Sequence, residues 1–450
     1  MKILHYTLGL PPYRSGGLTK YSIDLMKNQI TQNDKVYLLF PGHFLLGNKT
    51  KIKLHDIFEG IKVFELINPL PVPLMGGISK PNEFMKPVSP KDIYKKFLEN
   101  INPEIIHIHT FMGIHQEFFI AAKELKIKMV YTTHDYFGIS TKPNIIEESE
   151  DYFTYSHSAY SLPLIYLMQS KLYRITKDSK LTKRLRSYKK GNIKVQEEKN
   201  GTNVHIKDKD LSVQYKKLKD YYYKMLNSID YFYFNSSIAK GVFEKFIDVK
   251  GEIAPVTHDD INDNRNLKTF DTKAPLKITF LGPLEEYKGF PLLREALNNL
   301  LQRNETNWYL NIYGNTNETL LVGNEKKYIS FHGRYNHEKL VDIFNSTDIL
   351  IVPSVWKETF GFIALEALSH GVPVLISEYV GSQDIIRHGK TGFIFKADSD
   401  ELANLIGLLI SNRYILQELN ENICEEDFPW TMEIHTKQIK RLYEKIIGAN

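Results

Sequence analysis

Apolar residues fall along this chain in two rhythms, short unbroken runs and longer stretches with a three-to-four-residue beat. Lys2–Thr7, Val36–Phe40, Glu104–His109, Lys128–Asp135 and Tyr231–Phe234 are short and rich in Ile, Val, Tyr and Phe. They read as buried parallel strands. Leu276–Leu281, Trp308–Tyr313, Ile329–His332, Asp348–Pro353 and Val372–Ser377 repeat the pattern in the second half. Helical spacing runs through Leu18–Ile30, Lys91–Asn100, Leu211–Asn227, Ile238–Phe246, Phe362–His370 and Glu401–Leu409, and Trp430–Ile447 closes the chain as an amphipathic helix. Asn235-Ser-Ser and Asp400 read as N-caps, and Gly371 followed by Pro373 stops the helix before it. Residues 44–100 read mainly as polar turns around a rigid Pro-rich connection, Asn68–Pro73. Strands alternating with helices make this an α/β chain.

Composition narrows the class. A chain of 450 residues suggests two or three domains, and 42% hydrophobic with 25% charged residues is a globular balance. One cysteine, Cys424, excludes an internal disulfide framework and fits a reducing compartment. The chain goes straight into a strand with no signal-peptide pattern, and no apolar run is long enough to span a bilayer, so a cytoplasmic location is expected. A net charge of +5 decides nothing by itself, and no nucleic-acid-binding module accompanies it.

The stretch from Ser354 to Phe395 carries the chemistry. Glu358 sits in the loop after the strand Asp348–Pro353, whereas Glu366 lies inside the apolar helix FIALEAL, where a carboxylate is costly unless something pairs with it. Thr359, Phe360 and Gly361 lead into that helix, so N–H groups at its start are available to an anion. Near the N-terminus, Gly16-Gly17 follows the first strand and precedes a helix, which lets a ligand approach the backbone closely. This is not Gly-x-Gly-x-x-Gly, so the dinucleotide fingerprint is missing. His107, His109 and His134 fall at strand ends, the edge where open α/β sheets bind ligands.

No metal site is expected. The histidines lack a zinc spacing, and the Asp259, Asp260 and Asp263 run lacks the closing Glu of a calcium loop. Of two Asp-x-Asp triplets, Asp208–Asp210 lies in a polar excursion and Asp398–Asp400 at a helix start. Lys171, Arg174, Lys177, Lys180, Lys183, Arg184, Arg186, Lys189 and Lys190 follow the apolar SLPLIYLMQ. That pairing suits either a solvated helix or, over 160–190, an anionic membrane surface.

Glu-x7-Glu enclosing FGF, then GVPVLIS and VGSQDIIRHGKTGFIF, resembles the retaining, nucleotide-sugar-dependent glycosyltransferases called family 4, or group 1, of bacterial surface-glycan type. The resemblance is close over 270–395, good over 1–40 and 100–140, and architectural elsewhere. It implies a GT-B fold of two Rossmann-like domains facing across a cleft. An N-terminal acceptor domain, 1–250, would carry the variable excursion over 155–228. A nucleotide-sugar domain, 251–428, would follow, and a helix over 429–450 would cross back to the first domain. By resemblance, Gly16, Gly17, Gly282, Lys288, Gly314, Thr359, Phe360, Gly361, Phe362 and Glu366 bind the donor, with Arg14 a further candidate in the N-terminal loop. Glu366 would take the ribose hydroxyls, Glu358 the sugar, and Lys288 the charge of the leaving phosphate. His109 would lie beside the transferred sugar, His134 and Asp135 on the acceptor side, and His107 would be structural. The family places an Arg directly after the loop glycine, where this chain has Pro283. Arg334 is a candidate to compensate.

The implied activity is metal-independent transfer of a hexosyl or N-acetylhexosaminyl group from a UDP- or GDP-sugar. The acceptor would be a glycan, a lipid-linked glycan or a protein, in cell-surface polysaccharide or glycoconjugate synthesis. No cofactor is implied beyond the nucleotide sugar as co-substrate. The competing reading is a non-catalytic subunit of the same fold that binds glycan or acceptor for another transferase; Pro283 favours it, and Lys288, Glu358 and Glu366 oppose it.

Overall fold

The computed structural model describes all residues except 46, 48, 75, 143–144, 146–148, 150, 154–161, 177–208, 315–322 and 449–450. The chain divides into two compact units. One comprises Met1–Phe234, Val242–Glu252 and Thr436–Asn450; the other comprises Asn235–Gly241 and Ile253–His435.

The first unit is built on an eight-stranded sheet in the order β3-β4-β2-β1-β5-β6-β7-β8. Its strands are β1 (Lys2–Tyr6), β2 (Lys35–Pro41), β3 (Lys51–Phe58), β4 (Ile61–Ile67), β5 (Ile105–Ile108), β6 (Lys128–Thr132), β7 (Tyr231–Phe234) and β8 (Gly251–Ile253). β1 pairs in parallel with β2 on one side and β5 on the other. The strand order therefore reverses at β1/β5, and such a switch point opens a crevice beyond the carboxyl ends of the strands. Ile3, Leu4, Ile105, Ile106, Met129 and Val130 are all buried, because helices cover both faces of these central strands.

Residues 51–67 differ from the expected turns: β3 and β4 form an antiparallel hairpin. β3 is almost wholly exposed, and its Lys51, Lys53, His55 and Asp56 give it the charged character of a protected sheet edge. That polarity hid the strand.

The second unit has a six-stranded sheet in the order β11-β10-β9-β12-β13-β14. These strands are β9 (Leu276–Gly282), β10 (Trp308–Gly314), β11 (Ile329–Gly333), β12 (Ile349–Val352), β13 (Val374–Ser377) and β14 (Gly392–Phe395), and their pairings are parallel. The order reverses at β9/β12. Buried Trp308, Leu276, Ile278, Leu293, Leu297 and Leu402 fill one side of this sheet.

Three local findings refine the sequence reading. The cap of the helix Ser399–Ser411 is Asp398, whose carboxylate accepts the Glu401 N–H at 2.8 Å; Asp400 sits in the first turn instead. Asn235–Gly241 belongs to the second unit, because Asp384 accepts from both the Ser237 N–H and its hydroxyl at 2.6 Å. The segment after Ile253 is packed, with Val256, Thr257, His258 and Ile261 buried. The final helix, Met432–Gly448, joins the first unit from Thr436 onward, where Lys440 Nζ meets Asp34 Oδ1 at 2.9 Å and Tyr443 is buried. No described helix is long and apolar enough to cross a membrane.

Candidate functional site

In the second unit, the loops after β9 and β12 meet at the switch point. The first ends in a turn, Glu286–Lys288, then Gly289 at φ 73. A side chain at 289 would collide with the Pro353 carbonyl, so glycine is what lets the Lys288 loop close onto the end of β12. Lys288 Nζ donates to Glu358 Oε1 at 2.7 Å, and the Ser354 hydroxyl donates to Oε2 at 3.0 Å. The backbone holds Glu358 from both sides: its N–H donates to the Tyr379 carbonyl, and its own carbonyl accepts from Gly381, both at 2.9 Å. Gly361, at φ 91, faces the Glu358 carboxylate and Val380 so closely that a Cβ would have to displace them.

The helix Phe362–Leu368 starts there and carries Glu366, which is buried. Its partner is His258, whose Nε2 lies 3.2 Å from Glu366 Oε1. The His258 ring stands edge-on to Phe362 at 5.0 Å, and His337 Nδ1 approaches the same Oε1 at 3.8 Å. Burial and the Glu366 charge together push the Tyr335 hydroxyl well above its ordinary range.

Lys288, Glu358, Gly361, Phe362 and Glu366 are thus drawn together, with Thr359 and Phe360 buried between them. Gly282 and Gly314 are register partners at the ends of β9 and β10. Arg334 is exposed after β11. Sequence reasoning missed His258, His337 and Ser354. The signal for the first is Glu366 itself, since a carboxylate in an apolar helix demands a donor, but nothing in residue order says that His258 supplies it.

In the first unit, Gly16 caps the helix Gly17–Thr31 at φ 109, with open space where a side chain would be. Beside it runs a chain of rings. Gln29 Oε1 holds His5 Nε2 at 2.8 Å, His5 Nδ1 meets His109 Nε2 at 3.0 Å, and His109 Nδ1 meets His134 Nε2 at 3.3 Å. His109 is wholly buried with both ring nitrogens engaged, whereas His134, against the Tyr21 ring at 4.8 Å, is half-buried. His107 stacks on His109 at 4.1 Å and bonds Tyr443 and Thr132 through its two nitrogens, a structural part. Burial lowers His5 to about 4, and burial with three neighbouring histidines pulls His109 well below its ordinary value. Asp135 accepts the Phe137 N–H at 2.9 Å and is lifted to about 7 by burial.

His5, His107 and His109 place nitrogens within 4.8 Å of one another, near enough to suggest a metal. Each ring already spends both nitrogens on hydrogen bonds, so an ion there would have to break that network.

Of the basic stretch, Lys171 and Arg174 are described; Lys177, Lys180, Lys183, Arg184, Arg186, Lys189 and Lys190 lie outside the described residues, as does Asp208. Arg174 turns inward rather than onto a basic surface, with Nη1 2.6 Å from Glu65 Oε1.

Residues 262–426 match the model of the family described as Glycosyl transferases group 1. An uncharacterised glycosyltransferase of Methanocaldococcus jannaschii is 28% identical over 180 residues, 38% of this chain and 45% of that protein. The chain spans about half the length of the curated relatives it matches. Among solved structures, the sucrose-phosphate synthase of Thermosynechococcus elongatus aligns over the whole of both chains with a TM-score of 0.58 and 14% identity. The Anabaena protein HepE in complex with UDP aligns over 99% of this chain and 100% of its own, with a TM-score of 0.55 and 13% identity. At that identity the likeness is one of fold, the GT-B class with two Rossmann-like domains.

Proposed function

We propose that this chain is a retaining glycosyltransferase that moves a sugar from a nucleotide-diphosphate sugar to a glycan, glycolipid or protein acceptor. The observation that carries the proposal is the Lys288–Glu358 pair, joined to the buried Glu366–His258 pair through Gly361 and Phe362, inside the stretch that matches the family.

In this reading Lys288 faces the donor diphosphate and stabilises the charge that develops as it leaves, with no essential metal. Glu358 takes sugar hydroxyls. His258 and His337 both address Glu366 Oε1, so Oε2 is the oxygen for the ribose diol. The sugar C1–O bond to the diphosphate breaks as the acceptor oxygen bonds C1 from the same face. The acceptor proton passes to the leaving phosphate, and the α-configuration is kept. The first unit supplies the acceptor side through Gly16, Gly17, His134 and Asp135. His109, being buried, acts by holding His134. UDP is the first donor nucleotide to try, since HepE is described in complex with it; GDP is the second. Cell-surface polysaccharide or glycoconjugate synthesis in the cytoplasm, with 160–190 at the inner membrane face, is the setting that suits such an enzyme.

The test is a panel of UDP- and GDP-sugars, read by thermal shift, by nucleoside diphosphate release and by the anomeric configuration of the product. A β-linked product from an α-linked donor would overturn the retaining mechanism. Absence of any nucleotide response would overturn the donor assignment.

A further inference from the structure

The carboxyl edge of the first sheet holds a second set of groups that the transfer reaction above leaves unused. The loop after β1 folds back through the Arg14 N–H to Leu10 carbonyl bond, 2.9 Å, and turns the Arg14 side chain inward until it is 8% exposed. Its guanidinium lies 4.4 Å over the Tyr13 ring, and Nη2 donates to the Tyr13 hydroxyl at 3.0 Å. Arg174, from the helix Lys171–Thr176, lies 4.5 Å over the same ring and 5.5 Å over Phe40. Two cations thus share one aromatic platform.

The charges near them do not balance. Glu65 is the carboxylate that meets Arg174, and it also accepts from His43 Nδ1 at 2.8 Å and the His43 N–H at 3.1 Å, and faces His55 Nδ1 at 3.6 Å. Arg14 has no carboxylate partner among the described residues. Arg14 Nε, Arg174 Nε and Arg174 Nη2 are buried and meet no acceptor there. Burial, with the neighbouring charge of Arg174 adding to it, holds the Arg14 guanidinium below its ordinary value. Buried donors without acceptors are rare in folded proteins, and buried charges are normally paired. Forked guanidinium donors are the side-chain match for a phosphate oxyanion.

We infer that Arg14 and Arg174 form a phosphate-binding site in the first unit. It takes a phosphate group carried by the acceptor, in the sense that the proposed transfer supplies. Arg14 follows β1 and Phe40 lies just before the end of β2 at Pro41, so the site stands at the sheet edge that also carries Gly16-Gly17. The anion gives the unpartnered N–H groups their acceptor and leaves Glu65 to His43 and His55.

Inorganic phosphate is the probe, titrated against chloride at matched ionic strength on the full chain, with melting temperature as the readout. The wild type is expected to gain stability with phosphate, and to do so equally in saturating UDP. Arg14→Gln and Arg174→Gln should each raise the half-saturating phosphate concentration about tenfold or more, the scale of one charge-assisted hydrogen bond. Arg14→Lys should fall between, keeping the charge but losing the fork. Arg14→Gln leaves the Arg174–Glu65 pair intact, and far-UV circular dichroism confirms that each variant is folded. No phosphate response, or one that both Gln variants retain, overturns the site. A response abolished by UDP also overturns it, because the phosphate would then occupy the donor position. A phosphate response that depends on both arginines, in a protein that ignores UDP and GDP, would leave this site standing and remove the donor assignment instead.

Discussion

Lys288 and Glu358 lie in loops after two different strands and meet at 2.7 Å, with Ser354 holding the second carboxylate oxygen at 3.0 Å. The pair neutralises itself until an anion competes for the lysine. Its side chains are partly shielded, 21% and 13% exposed, so the attraction is less screened than in a surface pair.

UDP or GDP should therefore raise the melting temperature in the presence of EDTA, by a stabilisation of about 2.7 kcal/mol at a hundredfold excess over Kd. Lys288→Met should abolish the effect, because Glu358 would then repel the diphosphate. Glu358→Ala should lower turnover more than nucleotide affinity, since its substrate partner is the sugar. Stabilisation that disappears with EDTA and returns only with Mn²⁺ or Mg²⁺ would contradict the metal-free reading.

Glu366→Ala should mainly weaken nucleotide binding, because a ribose contact is present in ground and transition states alike. His258→Ala should do the same and should also destabilise the second unit by about 1–3 kcal/mol, the cost of leaving a buried polar group unpartnered. His258→Gln should recover part of both. Calorimetric titration with UDP beside thermal melts separates the two effects. Unchanged affinity in His258→Ala would show that the histidine does not orient Glu366.

Buried neutral histidines make the first unit acid-sensitive. Unfolded, each takes up a proton near pH 6.5; folded, His5 resists until about 4 and His115 until about 3, with His109 also held down, in each case chiefly by burial. Their contribution is complete above pH 6.5 and drains away as the pH falls towards 4. Asp135 opposes this: raised from 3.8 to about 7, its contribution is full below 3.8 and lost as the pH rises through 7. His5, His109 and His115 outweigh one carboxyl. The melting temperature should fall steadily between pH 6.5 and 4.5, with His5 alone contributing on the order of 3 kcal/mol at the acid end. A flat or rising profile towards acid would show that these rings are already charged.

Sedimentation with phosphatidylglycerol liposomes tests the membrane placement proposed for 160–190. Pelleting should weaken with salt as the Debye length shrinks from about 10 Å at 0.1 M to about 3 Å at 1 M. Changing Lys177, Lys180, Lys183, Arg184 and Arg186 to Gln should reduce it at low salt. Equal pelleting of both proteins, or of neither, would point to an acceptor away from the membrane.

The strands were legible where both faces are buried. β1, β5, β6, β9, β12 and β13 are mostly apolar and largely buried, because a covered parallel strand has little solvent side to mark with polar residues. β3 was not legible, since an exposed edge is selected for charge and looks like a turn. The N-cap of the helix Ser399–Ser411 was misplaced by two residues for a related reason. Asp398 and Asp400 are the same residue type, and the backbone of Asp398 decides which carboxylate reaches the Glu401 N–H.

At the site, the sequence by itself determined the chemistry on offer: a glutamate in a loop, another in an apolar helix, a lysine before a glycine, and histidines at strand ends. Those follow from residue type and local period, and local period survives without a fold. Only the tertiary structure decided who meets whom. His258 reaches Glu366 across 108 residues, Lys288 reaches Glu358 across 70, and Arg174 turns inward to Glu65 instead of outward. A charged side chain carries no mark of its partner in one dimension. The partner is chosen by sheet order, which brings the loops after β9 and β12 to one switch point, and by the cost of burying an unpaired charge once they arrive.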